Sequence, residues 1–183
     1  MVEGDDQAAA VLGMGLIAMS DDIGTQMMLR EFERLLQYSE LNIRRAVPLT
    51  LGLLCVSNPD LAVMDTLAKF SHDHDEETAM GAIIGLGLIG AGTNNARIAQ
   101  LLRGLSAYYH KEPTMMFVVR LAQGLTFLGK GTLKLQPFHG SGRLLYNPSA
   151  LGGLLVVLHA CLDVKTFLLG KAHYLLFFLA LAV

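Results

Sequence analysis

An all-α fold of stacked helical hairpins is what this 183-residue chain predicts, and three observations predict it. First, a glycine-bearing apolar stretch recurs four times, at 10–18, 46–54, 82–90 and 119–127. Gly15, Gly52, Gly87 and Gly124 fall in register, each followed by Leu, at separations of 37, 35 and 37 residues. A period of roughly 35 to 40 residues belongs to helical-hairpin solenoids, in which each unit buries its apolar face on its neighbour. Second, amphipathic stretches alternate with the glycine stretches. Third, 52% of residues are hydrophobic and only 16% charged, against about a quarter charged in ordinary globular domains. Much of this surface is expected to be covered by partners or by further chain.

Residues 1–7 are taken as a flexible end and 8–183 as the repeat array, an arc of an α-α superhelix or toroid. The first amphipathic helix falls near 26–38, with Met28, Phe32, Leu35 and Leu36 on one face and Arg30, Glu31, Glu33 and Arg34 on the other. Leu61, Met64, Leu67 and Ala68 repeat the pattern. So do Ile98, Leu101, Leu102, Leu105 and Tyr109, at the three-and-four spacing of a half-buried helix. The alternation predicts two layers: amphipathic helices outside, glycine helices inside. Each glycine costs about 1 kcal/mol relative to Ala in a helix interior. The offsetting gain is closeness, because helices without a Cβ at the crossing can bring their backbones into contact.

Turn chemistry marks the helix ends. Asn58-Pro59 and Asn147-Pro148 read as N-caps followed by a proline at the first helical position. Gly92-Thr93-Asn94 ends one helix and starts the next. Asp73 and Glu76 have capping-box spacing. Pro48 either lies in the first turn of its helix or kinks it. Residues 130–146 break the period. Thr132–Pro137 alternates apolar and polar like a short strand, and 138–146 is a loop rich in Gly, Ser and Arg. The helical pattern resumes at Ser149. Residues 174–183 are apolar nearly all round, which predicts a buried helix. The repeat pattern is interrupted at both ends, so a longer parent protein is expected.

Several functions are disfavoured. A net charge of −2 provides no basic face for nucleic acid. No signal peptide opens the chain. The longest uninterrupted apolar runs, 150–162 (broken only by His159) and 174–183, fall short of the ~18–20 residues of a membrane span; both read as buried repeat helices. Cys55 and Cys161 read as small buried hydrophobes. The Gly85–Gly90 stretch spells G-x-G-x-x-G, the only support for an alternative reading as a nucleotide-binding enzyme. That motif should follow a strand and precede an acid by about 20 residues, whereas helix precedes it here and position 110 is His. Residues 71–77 gather His72, His74, Asp73, Asp75, Glu76 and Glu77 without metal-ligand spacing. They read as a solvated acidic loop facing a helix N-terminus, with Asp73, Asp75 and Glu76 as weak protein-docking candidates. His110, His139, His159 and His173 are scattered; the last two are expected to bond backbone carbonyls. Lys130, Lys134 and Arg143 give the insertion a mild positive tilt. No catalytic residue, metal or cofactor is predicted.

The glycine helices Ala-x-x-x-Leu-Gly-Leu resemble proteasome/cyclosome repeats. Four stretches sharpen the resemblance: 67–73 (LAKFSHD), 92–97 (GTNNAR), 119–133 (VRLAQGL, then LGKGTL) and 169–174 (LGKAHY). With them the chain is similar, from about Ala8 to Val183, to the later repeats of the large non-ATPase repeat subunits in the base of the proteasome regulatory particle. Sister repeat subunits of the proteasome or cyclosome are the alternative within this class. The resemblance implies a toroid of two concentric helix rings and no catalytic residues. It also implies a scaffold in cytoplasm and nucleus that rides on the ATPase ring. In the full-length protein it implies docking of ubiquitin or ubiquitin-like domains. No receptor-docking residue of that family can be placed on this chain.

Overall fold

Alternating apolar and amphipathic helices resolve into two layers. The computed structural model describes residues 2–139 and 146–183. Its α-helices are α1 (Val2–Ala18), α2 (Asp22–Tyr38), α3 (Leu41–Leu54), α4 (Leu61–Phe70), α5 (Glu76–Ile89), α6 (Ala96–Tyr108), α7 (Pro113–Thr126) and α8 (Pro148–Ala160). The glycine helices α1, α3, α5 and α7 stack in sequence, each on the next. The amphipathic helices α2, α4 and α6 form the outer layer, each lying against the inner helix that follows it. The two middle inner helices are buried on nearly every side, with Ala46–Leu54 of α3 and Thr78–Ile89 of α5 wholly in the core, while α1 and α7 at the ends of the stack each keep an exposed face. Outer helices bury one stripe each, such as Phe32 and Leu36 of α2 or Ile98, Leu102 and Leu105 of α6, as their periodicity requires.

Caps fix the hairpin ends, not always at the predicted residue. Asn147 caps α8 through Ser149 and Ala150 N–H, with Pro148 as the first helical residue. α4 starts later than Asn58-Pro59 suggested: Asp60 accepts from Ala62 and Val63 N–H. The cap of α5 is Asp75, which accepts from Thr78 N–H, while Asp73 accepts from the Asp75 N–H instead. Between α5 and α6, Gly92 and Asn94 both take left-handed φ angles (62° and 49°), and Asn95 is the cap. α3 begins at Leu41, so Pro48 sits in the interior of a continuous helix rather than in its first turn. Its missing N–H removes one intrahelical bond, within a segment held by core packing on every side.

The region after α7 departs most from expectation. Thr132–Pro137 forms no strand, because no strand lies beside it. Among the described residues the one bridge there is an isolated antiparallel pair, Phe138 with Tyr146. Residues 140–145, including Arg143, lie outside the described residues. α8 does not continue the array on α7. It leads through a 3-10 turn (Cys161–Asp163) that rests on α3 and α5 and a π-helical stretch (Val164–Lys171) to a 3-10 helix, His173–Ala182. That last helix packs on α8, and the contact is close enough that a Cβ at Gly153 would collide with the Phe178 carbonyl. It is not the buried helix predicted. Only Leu179 and Ala182 are buried, and Phe177 is 79% exposed, since the helix's neighbours, α8 and the 164–171 stretch, leave its outer face open. One apolar run is also longer in the structure than the 150–162 stretch read from sequence. Pro148–Thr166, which spans α8, the 3-10 turn and the start of the π-helical stretch, is 19 residues and by length and composition apolar enough to cross a membrane, with 44% of it buried inside the protein. His159 and Asp163 interrupt the apolar sequence without ending this run, although Asp163 itself has a non-helical backbone (φ −127°, ψ 78°).

Candidate functional site

The glycine register lies along the seam of the inner layer. A Cβ at Gly15 would overlap the Thr50 side chain. At Gly52 it would come 2.9 Å from the Gly85 Cα, and at Gly87 2.8 Å from the Ala122 Cα and 2.9 Å from its Cβ. Each glycine thus meets a small residue two positions before the next register glycine. Gly124 differs: nothing lies within 4 Å of its added Cβ, because no helix is stacked on the far side of α7. The G-x-G-x-x-G stretch lies in and just after α5, with Gly85 facing the Pro48 carbonyl at 2.7 Å from an added Cβ. Its glycines are packing positions in a helix, where a phosphate-cradling loop would have to stand.

The acidic loop is built into the fold. Arg45, near the start of α3, forms a fork with Asp75: Nε donates to Oδ2 at 2.8 Å and Nη2 to Oδ1 at 2.6 Å. Its Nη1 also lies 2.6 Å from Glu77 Oε2. Planar bidentate geometry of this kind is what guanidinium offers and an ammonium does not. Asp75 Oδ2 accepts in addition from Thr78 N–H (3.0 Å) and Thr78 Oγ1 (2.8 Å). The hydrogen bond from Arg45 chiefly, with those from Thr78, holds its carboxyl down to about 2 against the opposing effect of burial. Arg44 lies 4.0 Å from Asp73. Glu76 faces Lys165 at 2.6 Å and accepts from the Thr114 hydroxyl at 3.4 Å. The loop is therefore not simply solvated. Its carboxylates tie the start of α5 to α3, to the start of α7 and to the 164–171 segment. The signal that sequence reading overlooked is Arg44-Arg45, a basic pair opening one glycine helix about 30 residues before the acids that open the next.

His72 of the loop packs on aromatic rings. His72 meets Tyr108 edge-on at 4.9 Å and stacks on Tyr109 at 6.4 Å. The Tyr109 hydroxyl donates to the Ser71 carbonyl at 2.7 Å, and its burial raises its pKa. Among the described residues, no three His, Cys, Asp or Glu side chains converge as a metal centre needs. His173 Nδ1 lies 3.4 Å from the Gly170 carbonyl, whereas His159 is exposed on α8. Cys55 and Cys161 are both buried, and burial pushes the Cys161 thiol up to about 12, away from thiolate chemistry.

Arg45→Ala is expected to cost roughly 2 kcal/mol at neutral pH, because it strips charge-assisted bonds from two half-buried carboxylates. The pH dependence has a definite sign. A carboxyl depressed in the folded state contributes stability above its unfolded value near 3.8, and loses it as pH falls towards about 2. Urea melts between pH 2.5 and 7 should show this acid step in the parent and a weakened one in Arg45→Ala. An identical gap between the two proteins at both pH limits would rule the pairing out as its source.

Comparison with known proteins agrees with this architecture. The family model described as the proteasome/cyclosome repeat matches residues 81–113, which cover the second half of α5, α6 and the turn into α7. The chain is 60% identical to the 26S proteasome non-ATPase regulatory subunit 2 homolog B of Arabidopsis thaliana, over all of this chain and 20% of that protein. It is 54% identical to the 26S proteasome non-ATPase regulatory subunit 2 of Dictyostelium discoideum, over 96% of this chain and 19% of that one. The likeness extends at 32% identity to the 26S proteasome regulatory subunit RPN1 of Encephalitozoon cuniculi, over 94% of this chain and 22% of that protein. The chain thus spans about one fifth of the length of the curated relatives it matches. With the repeat match inside a two-layer helical array, and 60% identity over the whole chain, this chain carries the proteasome/cyclosome repeat and matches about one fifth of a 26S proteasome non-ATPase regulatory subunit 2 homolog.

Proposed function

We propose that this chain serves as a non-catalytic scaffold of the proteasome regulatory particle in ubiquitin-dependent protein degradation. The observation that carries the reading is the 60% identity over the whole chain to a subunit named as non-ATPase and regulatory. The structure supports it chemically. The acidic cluster singled out in the sequence is spent on internal ties between repeats, and Gly15, Gly52 and Gly87 on helix seams. Partners follow from the reading: other proteasome subunits, the ATPase ring among them, and ubiquitin or ubiquitin-like domains through the full-length protein. So does a place in cytoplasm and nucleus, without nucleic acid, membrane, metal or cofactor. Asp73, Asp75 and Glu76 are poor docking residues in this reading unless a partner displaces Arg44, Arg45 or Lys165. The test is to tag the full-length protein in its own cells, purify it natively and identify what comes with it. Recovery of regulatory-particle subunits in near-equal amounts is expected. Their absence would sink the proposal.

A further inference from the structure

Five residues after α7 touch three separate parts of the fold. Ser57, just past α3, has a left-handed backbone (φ 51°). Its N–H donates to the Leu88 carbonyl of α5 at 3.0 Å. Its hydroxyl donates to the Ala91 carbonyl at 2.8 Å and accepts from the Leu135 N–H at 2.9 Å. Gly92, just past α5, is also left-handed, and a Cβ there would collide with the Leu133 carbonyl. Leu135 is buried in the core, and the next N–H, of Gln136, donates to the Ala182 carbonyl at 2.7 Å. The loop after α3, the loop after α5 and the end of the last helix therefore meet on residues 132–136.

We propose that residues 132–136 are a strap that fastens the pair formed by α8 and His173–Ala182 onto the repeat array, with Ser57 and Gly92 as its seat. The pair's own apolar residues, Leu154, Val157, Leu158, Leu179 and Ala182, join the common core, and the strap adds hydrogen bonds to that packing. The pair does not stack on the glycine seam. The ion pair Lys165–Glu76, with side chains 48% and 42% exposed, is of the kind that contributes little. The Cys161–Asp163 turn that follows α8 rests on α3 and α5. The stack α1–α7 is held by its own seams and does not need the strap. Loosening the seat should therefore release the pair alone.

Hydrogen exchange on the 183-residue chain tests this. Ser57→Ala keeps a non-glycine residue at the same φ and removes only the hydroxyl that joins Ala91 to Leu135. Amides of α8 and His173–Ala182 should then exchange roughly tenfold faster, with those of α1–α7 unchanged. Gly92→Ala should give the same pattern more strongly, and Lys165→Met should change the pair less than twofold. An unaltered pair in Ser57→Ala would overturn the proposal. So would equal acceleration in α3, α5 and the pair, or a larger effect from Lys165→Met. Should Gly92→Ala fail to fold, the Ser57→Ala comparison decides alone.

Discussion

Gly87→Leu is expected to destabilise the chain by roughly 3 kcal/mol, while Gly124→Leu should leave stability unchanged or slightly raised. The two residues have the same sequence signature, a glycine in an apolar helix followed by Leu. They differ in what stands opposite. At Gly87 the obstacle is the Ala122 backbone, 2.8 Å from an added Cβ. Backbone cannot change rotamer, so relief requires α5 and α7 to separate along a buried seam, at the upper end of the ~1–3 kcal/mol typical of overpacking. At Gly124 the same atom meets open space, and replacing a helical glycine recovers up to about 1 kcal/mol of helix propensity. At this chain length each kcal/mol is worth roughly 2–4 °C. Gly87→Leu should therefore melt about 6–12 °C below the parent, and Gly124→Leu at or above it. Equal melting temperatures would show that the register is not a packing device.

That contrast shows how far the sequence could be read. The period, the two layers and the outer-helix stripes were legible because burial repeats at 3.6 residues and glycine repeats with the hairpin. Whether a given seam is occupied was not, since periodicity records what a helix can accept and not what is stacked upon it. Gly124 and the departure of α8 from the array are two sides of that limit. The acidic loop exposes a second limit. Asp75 and Glu77 look solvated when only their own neighbours in sequence are considered. Their partner Arg45 lies 30 residues before Asp75, brought near by α3 packing on α5. Thr132–Pro137 shows a third. Alternation of apolar and polar residues suits a strand, yet a strand needs a partner. Here the backbone donors of Leu135 and Gln136 go to a serine hydroxyl and a helix-end carbonyl instead.

The chain is expected to associate with itself in solution, through its last helix. His173–Ala182 turns Tyr174, Phe177, Phe178 and Leu181 to solvent. Beside it, Pro113 and Phe117 of α7 together with Leu168, Leu169, Leu176 and Phe177 line an open apolar groove of about 620 Å³. Aromatic side chains bury ~150–250 Å² each when covered, so this surface exceeds the few hundred Å² of contiguous apolar patch that monomers ordinarily show. Light scattering on the 183-residue chain should report a dimer or larger species whose share grows with concentration. Hydrophobic dyes should bind where association is incomplete. Phe177→Glu with Leu181→Glu places two charges on the exposed face while leaving Leu179 and Ala182, the residues buried in this helix, in place. The double variant should keep its helical dichroism, become monomeric and lose dye binding. A parent chain that is monomeric at every concentration and binds no dye would mean that the terminal pair covers this face itself, by folding closer against α7 than the groove now allows.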